Sequence, residues 1–85
     1  VVLAPNPILN GQTLHLRFPS LPTESITDIY TLDGEAVFHQ EIDGQESPNW
    51  RPSHVAPGLY VVVIRYRTQN GGPLWIVRKK VAVLH

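Results

Sequence analysis

Histidine, serine and the carboxylates are the residues of this 85-residue chain whose types could do chemistry, and their spacing is the first thing to ask about. His15, His39, His54 and His85 fall in different predicted elements and form neither an H-x-H nor an HExxH pattern, so no metal site is expected. Ser20, Ser25, Ser47 and Ser53 are available as nucleophiles, yet none sits in a G-x-S-x-G elbow. Asp28, Asp33, Glu35, Glu41, Asp43 and Glu46 offer carboxylates, but Asp33 and Asp43 each precede a glycine and are accounted for by turns. A glycoside-cleaving carboxylate pair needs a cleft that so short a chain can hardly build. No glycine-rich loop could cradle a phosphate. The expectation is a protein that is not an enzyme and carries neither metal nor cofactor.

Composition narrows the partners. Seven basic and seven acidic residues cancel, which leaves no electrostatic footprint for nucleic acid. The longest apolar run, Leu59 to Ile64, is too short for a transmembrane segment. There is no cysteine, so no disulfide or thiolate site can support the fold, and the compartment stays open. At 42% hydrophobic the chain can still bury a core, near the lower size limit for one domain, residues 1–85.

The elements that must position these residues are strands. Eight prolines and six glycines punctuate short β-branched or aromatic runs. Seven strands are predicted, over about 1–4, 13–18, 26–32, 35–42, 48–53, 59–67 and 74–83. Turns are expected at Asn10-Gly11, Asp33-Gly34 and Asp43-Gly44, and a longer hairpin at Asn70-Gly71-Gly72-Pro73. No stretch combines a helical period with a credible N-cap. The pattern predicts an all-β, seven-stranded immunoglobulin-like sandwich of two antiparallel sheets. The sixth strand is apolar on both parities and should be central, with Tyr60, Val62, Ile64 and Tyr66 toward the core. In the last strand Lys79 interrupts the apolar set Trp75, Val77, Val81 and Val83, which predicts a bulge at Arg78-Lys79-Lys80. The abrupt apolar start at Val1 reads as a terminal module cut from a longer polypeptide.

Four motifs then line up in order: Pro5-Asn6-Pro7, Ile29-Tyr30-Thr31-Leu32-Asp33-Gly34, Ala56-Pro57-Gly58-Leu59-Tyr60 and Arg78-Lys79-Lys80-Val81. Together the chain resembles the type A C-terminal sorting domain of type IX secretion cargo from Bacteroidetes and their relatives. A related immunoglobulin-like domain occurs in flagellar hook-capping proteins. Thr31 stands where the family usually has Asp, Val55-Ala56-Pro57 replaces a commoner Leu-x-x, and Trp50 replaces a smaller aliphatic residue. The resemblance implies a non-catalytic sorting signal whose partners are the type IX translocon, a sortase-like surface peptidase and a passenger domain on its N-terminal side. It implies passage through the periplasm and then a cell-surface or extracellular location.

Under that resemblance, Pro5, Asn6, Pro7, Gly34, Gly58, Tyr60, Arg78, Lys79 and Lys80 are the recognition candidates. Each also has a structural reading. Two prolines make a stiff corner, and Ala56-Pro57-Gly58 fits a type II turn. Tyr60 fits the corner tyrosine of sandwich folds, and a basic run discourages edge-to-edge pairing. The alternative function is a carbohydrate- or protein-binding accessory module, in which Trp50, Trp75, Tyr30 and Tyr66 would stack on sugar. It requires two of those rings to be exposed and coplanar.

Overall fold

The computed structural model describes residues 1–9, 11–53 and 55–84. Asn10 of the first expected turn and two of the four histidines, His54 and His85, lie outside them. The described residues form seven strands: β1 (Val2–Ala4), β2 (Leu14–Arg17), β3 (Glu24–Thr31), β4 (Ala36–Asp43), β5 (Asn49–Trp50), β6 (Gly58–Arg67) and β7 (Trp75–Val83). They make two antiparallel sheets, one ordered β1-β2-β5 and the other β4-β3-β6-β7. The all-β sandwich expected from the sequence is therefore the fold.

Alternation sets which side chains meet. In β2, Leu14 and Leu16 are buried while His15 and Arg17 are exposed. In β6, Tyr60, Val62, Ile64 and Tyr66 point inward, opposite Thr31, Ile29, Thr27 and Ser25 of β3. These rows close on Leu14, Leu16, Trp50, Ile8, Val81 and Val83, which complete the core. The strand β6 lies between β3 and β7, hence its apolar character on both parities.

Several local expectations are corrected. β7 pairs with β6 without a break from Gly58↔Val83 to Tyr66↔Trp75, so Arg78-Lys79-Lys80 is not a bulge. Lys79 keeps its place in the core-facing row, opposite Val62, and its side chain nonetheless reaches solvent because β7 is an edge strand. The one register shift in this sheet lies between Ile29 and Tyr30, where β3 pairs β4. β5 is two residues long, not six, because Pro48 and Pro52 lack the N–H a longer ladder requires. Asp43-Gly44 does not close a hairpin: the chain crosses there to the other sheet, where β5 pairs β2. Ala56-Pro57-Gly58 is a bend, not a type II turn, and Gly58, at φ +152°, is already the first residue of β6. That φ still penalises any side chain at position 58.

Two hydroxyls sit in the core without hydrogen-bond partners among the described residues, Ser25 Oγ and Thr27 Oγ1. Burying such a group costs free energy that nothing here offsets. Thr27→Val should therefore raise the unfolding free energy by about 1 kcal/mol in a urea titration. A loss of stability would show that the hydroxyl is satisfied.

Candidate functional site

The best-organised polar cluster lies on the outer face of the four-stranded sheet. Asp28 faces away from the core by its parity in β3, and its neighbours across the sheet are His39 of β4 and Val63 of β6. Asp28 is nevertheless buried. One oxygen is bonded to Nδ1 of His39 and the other accepts from the Arg65 guanidinium at 3.1 Å. Glu41 Oε1 lies 3.8 Å from the other ring nitrogen of His39. A second pair on this face joins Arg67 to Glu24.

A carboxylate that orients an imidazole could prepare a general base. The remaining requirement, a nucleophile within reach of that imidazole, is not met among the described residues. Ser25 is on the opposite, core-facing side of β3, and no serine hydroxyl bonds to His39. The cluster holds charge and orientation, and it titrates. The hydrogen bond to Asp28 is the chief reason that His39 keeps its proton to higher pH than an ordinary histidine, and the charges of Asp28 and Glu41 add to it. Desolvation and the nearby Arg65 oppose the rise. Since the folded-state pKa lies above the unfolded value of 6.5, this contribution is complete below pH 6.5 and fades as pH rises through the folded value. Stability measured against pH should decline over that interval, and His39→Gln should flatten the decline. An unchanged profile in His39→Gln would remove the pair from the account.

Pro5-Asn6-Pro7 has a definite structural task. The Asn6 side-chain amide donates to the Lys80 carbonyl at 3.2 Å and accepts from the Ala82 N–H at 3.1 Å. Ile8 continues the pattern: its N–H donates to the Ala82 carbonyl at 2.7 Å, and its carbonyl accepts from the Leu84 N–H at 2.8 Å. Gly34 supplies a positive φ of 92° in the β3–β4 loop, where its N–H donates to the Thr31 carbonyl at 3.0 Å. The Tyr60 ring is buried and its hydroxyl donates to the Ala56 carbonyl. Arg78, Lys79 and Lys80 are exposed and take part in no ion pair among the described residues.

The four candidate sugar-stacking rings do not form a platform. Trp50 and Tyr66 are core residues, 3% and 6% exposed. Tyr30 is on the outer face of β3 opposite Val61, whereas Trp75 shares the inward row with Tyr66, so the two less buried rings lie on opposite faces. Trp75 lines an open pocket of about 260 Å³ with Pro19, Ser20, Tyr66 and Thr68, below the roughly 300–1,000 Å³ of small-molecule sites. Sequence reasoning missed the Asp28–His39–Arg65 cluster. Parity places each residue on an outward face, but only the register brings the three together.

No protein-family model and no curated protein matches the chain. Among solved structures it is similar to CopC from Methylosinus trichosporium OB3b, with a TM-score of 0.71 and 20% identity over 100% of this chain and 92% of that one. At that identity the likeness shows the fold. It overturns the expectation of a type IX sorting domain, and with it the sorting-signal function; the accessory binding module gains no support either. The motifs that carried the resemblance have local roles that other sandwiches also need: an edge closure at Asn6, a loop glycine, a corner tyrosine and a charged edge strand. The chain has a CopC-like β-sandwich fold.

Proposed function

We propose that this chain is a non-catalytic β-sandwich domain that works in the periplasm or outside the cell. The likeness to CopC over the whole chain is compatible with that location. The observation that carries the non-catalytic reading is the closure of the Asp28–His39–Arg65 cluster on itself. Both carboxylate oxygens are engaged, and among the described residues no nucleophile meets the imidazole. Copper handling is not carried over from CopC, because a likeness at 20% identity shows the fold alone. The chain contains no cysteine or methionine, and among the described residues no group of three His, Asp or Glu side chains could hold a metal ion. His15 lies in the β1-β2-β5 sheet and His39 in the other, so those two imidazoles do not pair on one strand or one sheet.

Two measurements test this reading. Fractionation of the source cells with an antibody to the chain should recover it in the periplasm or the medium; recovery in the cytosol alone overturns the location. Titration of the purified protein with copper(II), followed at the His15 and His39 imidazole resonances, should give weak binding that does not saturate at one equivalent. A saturating one-to-one site would restore metal handling.

A further inference from the structure

The four-stranded sheet ends in β7 on one side and in β4 on the other. Asn6 and Ile8 strap the first of these edges, whereas the backbone of β4 is open. Which of its groups face outward follows from the turn before it. The Thr31 N–H donates to the Glu35 carbonyl, so Thr31 and, by alternation, Ile29, Thr27 and Ser25 direct their peptide groups at β4. Their partners Phe38, Gln40 and Ile42 direct theirs back, which leaves the N–H and C=O of His39 and Glu41 aimed away from the sheet. Among the described residues no backbone hydrogen bond from outside the sheet reaches either. The side chains of this edge are also incompletely matched. Phe38, Gln40 and Ile42 of the core-facing row are only half-buried, yet Gln40 Oε1 is shut off from solvent and has no hydrogen-bond partner among the described residues. On the outer face His39 and Glu41 are both exposed.

We infer that β4 is a self-complementary edge that pairs antiparallel with β4 of a second copy of this chain, about a two-fold axis at Gln40. The stretch Phe38-His39-Gln40-Glu41-Ile42 identifies that occupant, because its chemistry matches its own reverse. In this register His39 stands opposite Glu41 twice, and the outward N–H and C=O of each meet those of the other, giving four ladder bonds. The side-chain charges agree with the ladder: Asp28 favours the protonated His39, and the facing residue is a carboxylate. Phe38 stands opposite Ile42 twice, apolar against apolar. Gln40 stands opposite Gln40, where a carboxamide has donors to offer the oxygen that lacks one. Other registers lose these matches. Sliding by two residues sets His39 against His39 or Glu41 against Glu41, and sliding by one sets outward groups against groups already bonded to β3. The register shift that skips Val37 ends the regular edge at Phe38. Pairing therefore spans five residues a side, and the product is a closed, weak dimer whose four-stranded sheets run on into one another.

Sedimentation equilibrium of the wild-type chain should give a monomer–dimer equilibrium with a Kd of about 100 µM, as small interfaces do. On raising the concentration to about 1 mM, the His39 and Glu41 amides should exchange about fivefold more slowly, while those of Phe38 and Gln40, already bonded to β3, stay unchanged. Glu41→Lys sets like charges opposite each other at two places and should weaken the dimer about tenfold. Glu41→Pro removes an outward N–H, spares the bonds to β3 and should be monomeric, with an unchanged Ile64 amide reporting an intact core. The chain has no cysteine, so Gln40→Cys supplies one thiol per chain. Across a non-hydrogen-bonded pair the two Cα atoms lie about 4.5 Å apart, within disulfide reach. With oxidised glutathione as oxidant, Gln40→Cys should therefore form an interchain disulfide about tenfold faster than Asp43→Cys, which faces Val37 in this register. A wild type that is monomeric at about 1 mM overturns the pairing. A dimer that survives Glu41→Pro lies on another surface and overturns the edge. Equal disulfide rates for the two cysteine variants overturn the register.

Discussion

Tyr60→Ala should lower the unfolding free energy by roughly 3–5 kcal/mol, while Tyr60→Phe should lose only about 1 kcal/mol. The two substitutions separate the two tasks of this side chain. The ring is 5% exposed, and its centroid lies 5.8 Å from that of Trp50 in an edge-on arrangement. Removing it opens a cavity where β6 faces the other sheet, and that cavity term dominates. The hydroxyl donates to the Ala56 carbonyl and ties the bend before β6 to the strand itself. Its loss leaves one carbonyl to find water. Small domains have only about 5–15 kcal/mol in total, so the alanine variant loses a large share of its stability. Equilibrium urea unfolding of both variants checks the ratio. Equal losses in the two would mean that the hydroxyl, not the ring, carries the stability.

Trp50→Ala should cost a similar amount, roughly 3–5 kcal/mol. β5 is two residues long, and its ladder to β2 consists of Leu14↔Trp50 and His15↔Asn49. So short a strand is held chiefly by what its side chains bury. Trp50 is 3% exposed and contacts Tyr60 and Phe38, with the Phe38 ring centroid 6.2 Å away. It is the link between β5 and the four-stranded sheet, and its loss removes the reason for β5 to pair. Because Trp50 and Tyr60 touch, the double alanine variant should cost less than the two single losses added together. Additive losses would show that the two rings stabilise separate regions.

Much of this fold was legible in the sequence. The alternation in Thr13 to Phe18 and in Tyr60 to Tyr66 assigns each residue to a face, and the faces observed are those. The strand boundaries follow from proline and glycine positions to within about two residues, except at β5, which ends at Trp50 and not at the expected residue 53. Pairing was not legible, because parity says which way a side chain points and not which strand lies beside it. Asp28, His39 and Arg65 come from three strands, and their cluster exists only in the register that joins β4, β3 and β6. Lys79 misled for a related reason. A lysine in an apolar row suggests a bulge when the strand is taken as covered, and requires none when the strand is at the edge. The same blindness to context produced the sorting-domain resemblance. Asn6, Gly34, Gly58 and Tyr60 solve problems of closing and turning a sandwich, and such solutions recur wherever that architecture does.

Whether Pro5-Asn6-Pro7 is part of the fold is tested most directly by native-state amide exchange on the wild-type chain, read residue by residue along β7. Ala82 and Leu84, which donate to Asn6 and Ile8, should be protected, whereas Ile76 and Arg78 should exchange far faster from the same strand. Ala82 exchanging as quickly as Arg78 would contradict the assignment of these residues to the closure of the sandwich.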